Sequence, residues 1–305
     1  FTTSDNTALF YRHWPALQPG AKKVIVLFHR GHEHSGRLQH LVDELAMPDT
    51  AFYAWDARGH GKSSGPRGYS PSLARSVRDV DEFVRFAASD SQVGLEEVVV
   101  IAQSVGAVLV ATWIHDYAPA IRGLVLASPA FKVKLYVPLA RPALALWHRL
   151  RGLFFINSYV KGRYLTHDRQ RGASFNNDPL ITRAIAVNIL LDLYKTSERI
   201  IRDAAAITLP TQLLISGDDY VVHRQPQIDF YQRLRSPLKE LHLLPGFYHD
   251  TLGEENRALA FEKMQSFISR LYANKSQKFD YQHEDCTGPS ADRWRLLSGG
   301  PVPLS

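Results

Sequence analysis

A chain of 305 residues, 45% of them hydrophobic and 22% charged, can bury one large core or two small ones, and Gly and Pro stand at ordinary levels with no visible repeat. No uninterrupted apolar run approaches the roughly 18 to 20 residues that a membrane-spanning helix needs. Lys and Arg number 36 against 30 Asp and Glu, a formal charge of +6, which is compatible with nucleic acid, an anionic membrane surface or no charged partner at all.

Lys22-Lys23 lead into residues 24–28, a β-branched run that predicts a buried strand, and 51–55 is a second run of the same kind. Residues 72–88 carry Leu73, Val77, Val80, Phe83, Val84 and Ala87 on one face of a helix, with charges opposite. A strand at 98–102 runs into a small-residue helix at 107–113, and a fourth strand follows at 123–127. Strands at 212–216 and 241–244 and a helix at 259–271, with Met264, Phe267, Ile268 and Leu271 on its apolar face, complete the pattern. Strands alternating with helices predict βαβ crossovers, hence an α/β fold whose mostly parallel central sheet has helices on both faces. In such sheets ligands gather at the carboxyl ends of the strands.

Two stretches break this rhythm. Residues 129–203 are far longer than an ordinary crossover, helical in pattern and rich in large apolar side chains; an insertion of that size predicts a lid. Nine Lys or Arg fall between Pro129 and Arg171 against the single acid Asp168, so the basic excess is local, and Pro138 and Pro142 are expected to break the segment into short pieces. Residues 274–305, with Gly288-Pro289-Ser290 and Gly299-Gly300-Pro301, read as a linker or disordered tail after a domain at 1–273.

Chemistry is concentrated at three strand ends. The strand at 98–102 turns sharply through Ala102-Gln103-Ser104-Val105-Gly106 into a helix, which matches the nucleophile elbow G-x-S-x-G except that Ala102 replaces the first Gly. Small residues flank the Ser because the turn is strained and neighbouring backbone comes close. The same turn aims the N–H of Val105 at the place where an oxyanion would form. A serine hydroxyl is a poor nucleophile without a base to take its proton and an acid to orient the base. Both are supplied in the order Ser, Asp, His: Gly217-Asp218-Asp219 follows the strand at 212–216, and Gly246-Phe247-Tyr248-His249 follows the strand at 241–244.

Four motifs together resemble the monoacylglycerol lipases and lysophospholipases of the α/β-hydrolase superfamily. Residues 28–37, Phe-His-Arg-Gly-His-Glu-His-Ser-Gly-Arg, are similar to that family's H-G-x-G-E-H-S-G-R loop, and Asp56-Ala57-Arg58-Gly59-His60-Gly61-Lys62-Ser63 to its D-x-R-G-H-G-x-S turn. Residues 217–222 resemble its G-x-x-D-x-V segment and 246–249 its G-x-Y-H segment, in family order from about Leu9 to Leu271. The resemblance implies Ser104 as nucleophile, His249 as base and Asp219, in preference to Asp218, as its orienting acid. It implies an oxyanion hole from the backbone N–H groups of Gly31 and Val105. Arg30 stands where the family has Gly, His32 where it often has Gly, and Gln103 where it often has His.

The activity implied is cleavage of a carboxylic ester, that of a single-acyl lipid such as a monoacylglycerol or lysophospholipid, with no metal and no cofactor. Other chemistry on the same triad (thioesterase, acyltransferase, peptidase) and a non-catalytic binding module are the alternatives. Trp147, Phe154, Phe155 and Tyr159 in the lid are the candidate acyl-chain contacts, set against a role as ordinary lid core. The basic, apolar lid fits peripheral contact with an anionic membrane better than nucleic acid. His32-Glu33-His34 lacks further ligands at metal spacing, and His60 is read as a structural residue of its turn. The lone Cys286 fits a reduced, cytoplasmic setting. The sequence opens at Phe1 without methionine, which leaves a removed targeting segment open. Residues 279–305 resemble the junction of bacterial proteins that join such a hydrolase to a SAM-dependent methyltransferase, a domain expected, if present, beyond residue 305.

Overall fold

The computed structural model describes residues 1–135, 137 and 139–273. The tail read at 274–305, with Cys286, lies outside the described residues, as does Pro138. Seven strands form one sheet: β1 (Tyr11–Trp14), β2 (Lys23–Phe28), β3 (Thr50–Trp55), β4 (Val98–Gln103), β5 (Gly123–Ala127), β8 (Thr211–Ser216) and β9 (Lys239–Leu244), in the order β1-β3-β2-β4-β5-β8-β9. All neighbours are parallel except β1, which pairs antiparallel with β3 in the register Tyr11↔Trp55 to Trp14↔Phe52. The expected strands are present, each within two residues of its expected bounds. Within this sheet β1 is the addition; its four residues, Tyr-Arg-His-Trp, are too short and too mixed to show a period.

The pleat sorts each buried strand between two cores. Val24, Val26 and Phe28 of β2 face one side, where α2 (Leu73–Asp90) and α3 (Val105–Tyr117) supply Val77, Val80, Phe83, Val108 and Trp113. Ile25 and Leu27 face the other, packed with Leu41 and Leu45 of α1 (Gln39–Leu45) and Met264, Phe267 and Ile268 of α8 (Ala258–Ala273). Each such side chain, fully removed from water, contributes about 1.5–3 kcal/mol before chain entropy is counted. Ser72 caps α2, its hydroxyl accepting the Arg75 N–H at 3.1 Å, so the sheet presents its carboxyl-end loops from a rigid base.

Between β5 and β8 the chain forms α4 (Ala140–Arg151), a two-stranded antiparallel pair of β6 (Phe155–Asn157) and β7 (Ala184–Ala186), α5 (Arg169–Asn177) and α6 (Val187–Arg202). The stretch read as one insertion therefore divides. Leu193 and Ile200 of α6 join the sheet core beside α3, as a crossover helix does, and the residues before it contact the loops at the strands' carboxyl ends. Pro142 does not break the segment: it is the third residue of α4, where its missing N–H would have had no intrahelical acceptor. The helix runs on to Arg151 and stops at Gly152, which takes φ 77°. Val222 is buried in the same core, and α7 (Gln225–Arg233) follows it. No helix among the described residues is long and apolar enough to cross a membrane.

Candidate active site

Ser104 sits between β4 and α3 with φ 58° and ψ −120°, a conformation that L side chains rarely adopt. The turn is held from both sides: its N–H donates to Ala127 O at 2.9 Å, and its carbonyl accepts from Ala130 N–H at 3.1 Å. Gly106 is required there, because a Cβ would lie 2.5 Å from His29 O and 3.2 Å from Phe28 O. That close approach sets the elbow against the loop that leaves β2.

The structure brings Ser104, His249 and Asp219 together from three strand ends. His249 Nε2 is 2.7 Å from Ser104 Oγ, and its Nδ1 is 2.7 Å from Asp219 Oδ2. Because a carboxylate can only accept, Nδ1 carries the proton and Nε2 is left free to accept from the serine hydroxyl. All three residues are buried. Asp219 Oδ1 accepts the N–H groups of Val221 at 2.7 Å and Val222 at 2.9 Å. Burial opposes ionisation of Asp219, but the His249 ring and those two N–H groups outweigh it and hold the carboxyl below its ordinary range. Asp218 is exposed; its N–H donates to Phe247 O at 2.9 Å, and among the described residues its carboxylate has no hydrogen-bond partner.

Gly31 and Val105 are neighbours: a Cβ on Gly31 would lie 3.1 Å from Val105 Cγ2. Among the described residues neither of their N–H groups has a hydrogen-bond partner. The loop bearing Gly31 is fixed by His29, whose Nδ1–H donates to Arg30 O at 2.6 Å while its Nε2 accepts from Ala57 N–H at 2.9 Å. Asp56 ties the same two loops, taking Ser35 N–H at 2.6 Å and Lys62 N–H at 2.8 Å. His60 donates to Arg58 O at 2.9 Å within its turn. Arg30, one of the departures from the family pattern, forks onto Glu33 at 2.9 and 2.5 Å. His34 Nε2 meets Asp178 at 2.9 Å, so the His-Glu-His run points at separate partners.

Contacts that sequence reading did not anticipate also shape the site. Lys134 donates to Asp219 O, and Val133 bridges Val222, so the strand-like segment after β5 braces the acid's loop. Gln103 donates to His249 O at 3.1 Å. Of the four candidate acyl-chain contacts, Trp147, Phe155 and Tyr159 are exposed and Phe154 is half-buried. Arg151 lies over the Trp147 ring at 4.6 Å. None of the four touches Ser104, His249 or Asp219 through a hydrogen bond or ring contact among the described residues.

Comparison with known proteins places this arrangement. A model of the serine aminopeptidase S33 family of hydrolases matches residues 19–256. The chain is 28% identical over 260 residues to an uncharacterized abhydrolase domain-containing protein of Dictyostelium discoideum, covering 83% of this chain but only 27% of that relative's length. It is 27% identical over 273 residues to a monoacylglycerol lipase of Mycolicibacterium smegmatis, covering 88% of this chain and 95% of that one. A solved monoacylglycerol lipase of Paleococcus ferrophilus superposes with a TM-score of 0.77 at 21% identity, over 87% of this chain and 99% of that chain. The fold is the α/β-hydrolase fold.

Proposed function

We propose, for a chain that belongs to the serine aminopeptidase S33 family of hydrolases, that Ser104 cleaves the ester of a single-acyl lipid, a monoacylglycerol or a lysophospholipid, through an acyl-enzyme. The protein is a carboxylic ester hydrolase. The observation that carries the finer reading is the unbroken hydrogen-bond chain from Ser104 Oγ through His249 to Asp219. Likeness to monoacylglycerol lipases supports the choice of substrate class.

In this reading Ser104 Oγ attacks the ester carbonyl carbon as its proton passes to His249 Nε2. The oxyanion is held by the N–H groups of Gly31 and Val105; removing one such donor typically costs on the order of 10²- to 10³-fold in rate. Collapse breaks the acyl C–O bond, and His249 returns the proton to the departing alcohol oxygen. Water then attacks the acyl-enzyme, giving one proton to His249, and the fatty acid leaves as Ser104 recovers it. Asp219 stays ionised throughout and fixes the ring's tautomer. No cofactor enters the scheme.

The segment before α6 serves as the lid. Trp147, Phe154, Phe155 and Tyr159 offer it acyl-chain contacts, and α4 presents Leu146, Leu150, Arg149 and Arg151 to solvent, a composition suited to lying on an anionic membrane. The decisive test is a panel of esters varied in acyl length and head group, with aminoacyl amides as the other arm. Single-acyl lipid esters should be turned over fastest, and Ser104→Ala should abolish both turnover and fluorophosphonate labelling while the fold persists. Turnover by Ser104→Ala within tenfold of the parent removes the nucleophile assignment, and preference for the amides removes the lipid reading.

A further inference from the structure

Five ionised side chains converge where the loop after β2, helix α5 and the loop carrying His249 meet. Arg30 is 3% exposed, and beyond its fork onto Glu33 its Nη2 lies 3.3 Å from Asp250 Oδ2. That same carboxylate oxygen accepts from Arg171 Nε, on the first turn of α5, at 2.5 Å. Arg37 Nε closes the cluster on Glu33 Oε1 at 2.6 Å. One turn along α5 from Arg171, Phe175 is buried beneath Arg30 and Arg37, whose guanidinium carbons lie 5.7 and 5.8 Å from the ring centre. The loop after His249 is built around the Arg171–Asp250 pair: a Cβ on Gly253 would lie 1.9 Å from Arg171 Nε and 2.4 Å from Asp250 Oδ2.

The charges are held as charges. Burial works to raise the Asp250 carboxyl, and Arg171 and Arg30 override it, keeping it below the ordinary carboxylate range. Glu33 is held at about 2, against burial, by Arg30 and Arg37. Asp250 is one peptide bond from His249, and its N–H donates to Leu165 O of the lid segment at 2.7 Å. Arg30 is one peptide bond from Gly31. A bridge between Arg30 and Asp250 therefore joins the backbone of the base to the backbone of the oxyanion loop, and Arg171 completes it from the lid.

We propose that the Arg171–Asp250–Arg30 bridge is a positioning device, through which the seating of α5 sets the His249 loop and the Gly31 loop in their working relation. The inference rests on the catalytic reading given above. Arg171 touches no reacting atom; it acts through Asp250. Without it, the buried carboxylate keeps Arg30, which Glu33 already claims, and a long 3.5 Å contact from Gln103 Nε2, and both loops lose their shared anchor.

The test is Arg171→Ala in the full chain, with Arg171→Lys beside it and Arg169→Ala, an exposed neighbour on α5, as control. On a short soluble ester, kcat of Arg171→Ala should fall roughly 10- to 100-fold while KM changes less than about threefold, since a displacement near 1 Å costs rate rather than uniform binding. Guanidinium ion, below concentrations that unfold the protein, should restore part of that loss. Lysine, a point charge without the fork, should give an intermediate rate. The low-field proton resonance of His249 Nδ1–H, bonded to Asp219, should broaden in Arg171→Ala and sharpen again with guanidinium. A kcat within twofold of the parent overturns the proposal. So does a loss that follows the melting temperature alone, with the resonance unmoved and no recovery by guanidinium. A parent protein that turns over no ester refutes the ester reading and leaves the resonance arm to decide this one.

Discussion

Asp218 and Asp219 are adjacent in sequence and opposite in setting, one exposed and the other 6% exposed with both oxygens engaged. Asp219→Asn presents His249 Nδ1 with an amide that can donate, which favours the wrong tautomer, and a loss of kcat on the order of 10³- to 10⁴-fold is expected. Asp218→Asn should leave kcat/KM within about twofold, as surface changes away from such features do. Steady-state kinetics of the pair ranks them, and the opposite order assigns the acid to Asp218. At this scale the sequence was informative wherever backbone geometry limits residue type: the Ser104 turn needs small neighbours, and Asp219 and His249, which meet it, follow strand ends. Lys134 bracing Asp219 across 85 residues, and Arg171 meeting Asp250 across 79, had no such signature. Any cation on the right segment would read alike in one dimension.

Among the described α-helices, α4 alone has no buried residue: Leu146, Trp147 and Leu150 are exposed, beside Arg149 and Arg151. If this helix rests on an anionic bilayer, each cation near the surface adds about 1 kcal/mol of attraction. Arg149→Glu with Arg151→Glu should then weaken binding to vesicles containing anionic lipid and slow lipid-ester turnover, while a short soluble ester is spared. Sedimentation with neutral and anionic vesicles at low and high salt checks this. Equal binding to both vesicle types, or equal loss on both substrates, defeats it. Element existence was legible wherever a period was long, as in α2 and α8, or a β-branched run was bounded by turns. β1 escaped because four mixed residues on an edge are fixed by pairing with β3 and by stacking of His13 on Tyr53 at 4.2 Å. The unbroken α4 was misjudged because a proline in the first turn of a helix and one in its interior look the same until the cap is located.

The whole molecule holds four imidazoles neutral around its loops, His29 buried and His32, His40 and His60 half-buried, which makes its stability depend on pH. Burial is the main cause in each case, lowering His32 and His40 to about 4, His60 to about 3, and His29 in the same direction. Arg30 beside His32, Arg171 beside His40 and His29 beside His60 add to the effect. Unfolded, each ring takes up its proton near pH 6.5; folded, each stays neutral until the pH is far lower. The unfolded chain thus binds more protons below about pH 6.5, and stability is lost progressively from there down toward pH 4 and 3. Between pH 7.5 and 5 the loss is on the order of 1–2 kcal/mol for each of His32, His40 and His60. Glu33, held at about 2, adds a later loss as the pH falls below the ordinary carboxylate range. Denaturant melts at pH 7.5 and 5 measure the first stage, and equal unfolding free energies at the two values contradict it.

The turn at Ser104 has a consequence for anyone who evolves this protein in the laboratory. Its φ of 58° and ψ of −120° carry a conformational strain of about 1–3 kcal/mol that the surrounding packing must absorb. Glycine relaxes that strain and removes the hydroxyl in one step. If Ser104 is the nucleophile, as proposed, the change that relieves this strain also ends turnover, and stability and activity pull in opposite directions at this position. A screen for thermal survival alone drifts toward the inert solution, and selection for hardiness has to be yoked to turnover at every round.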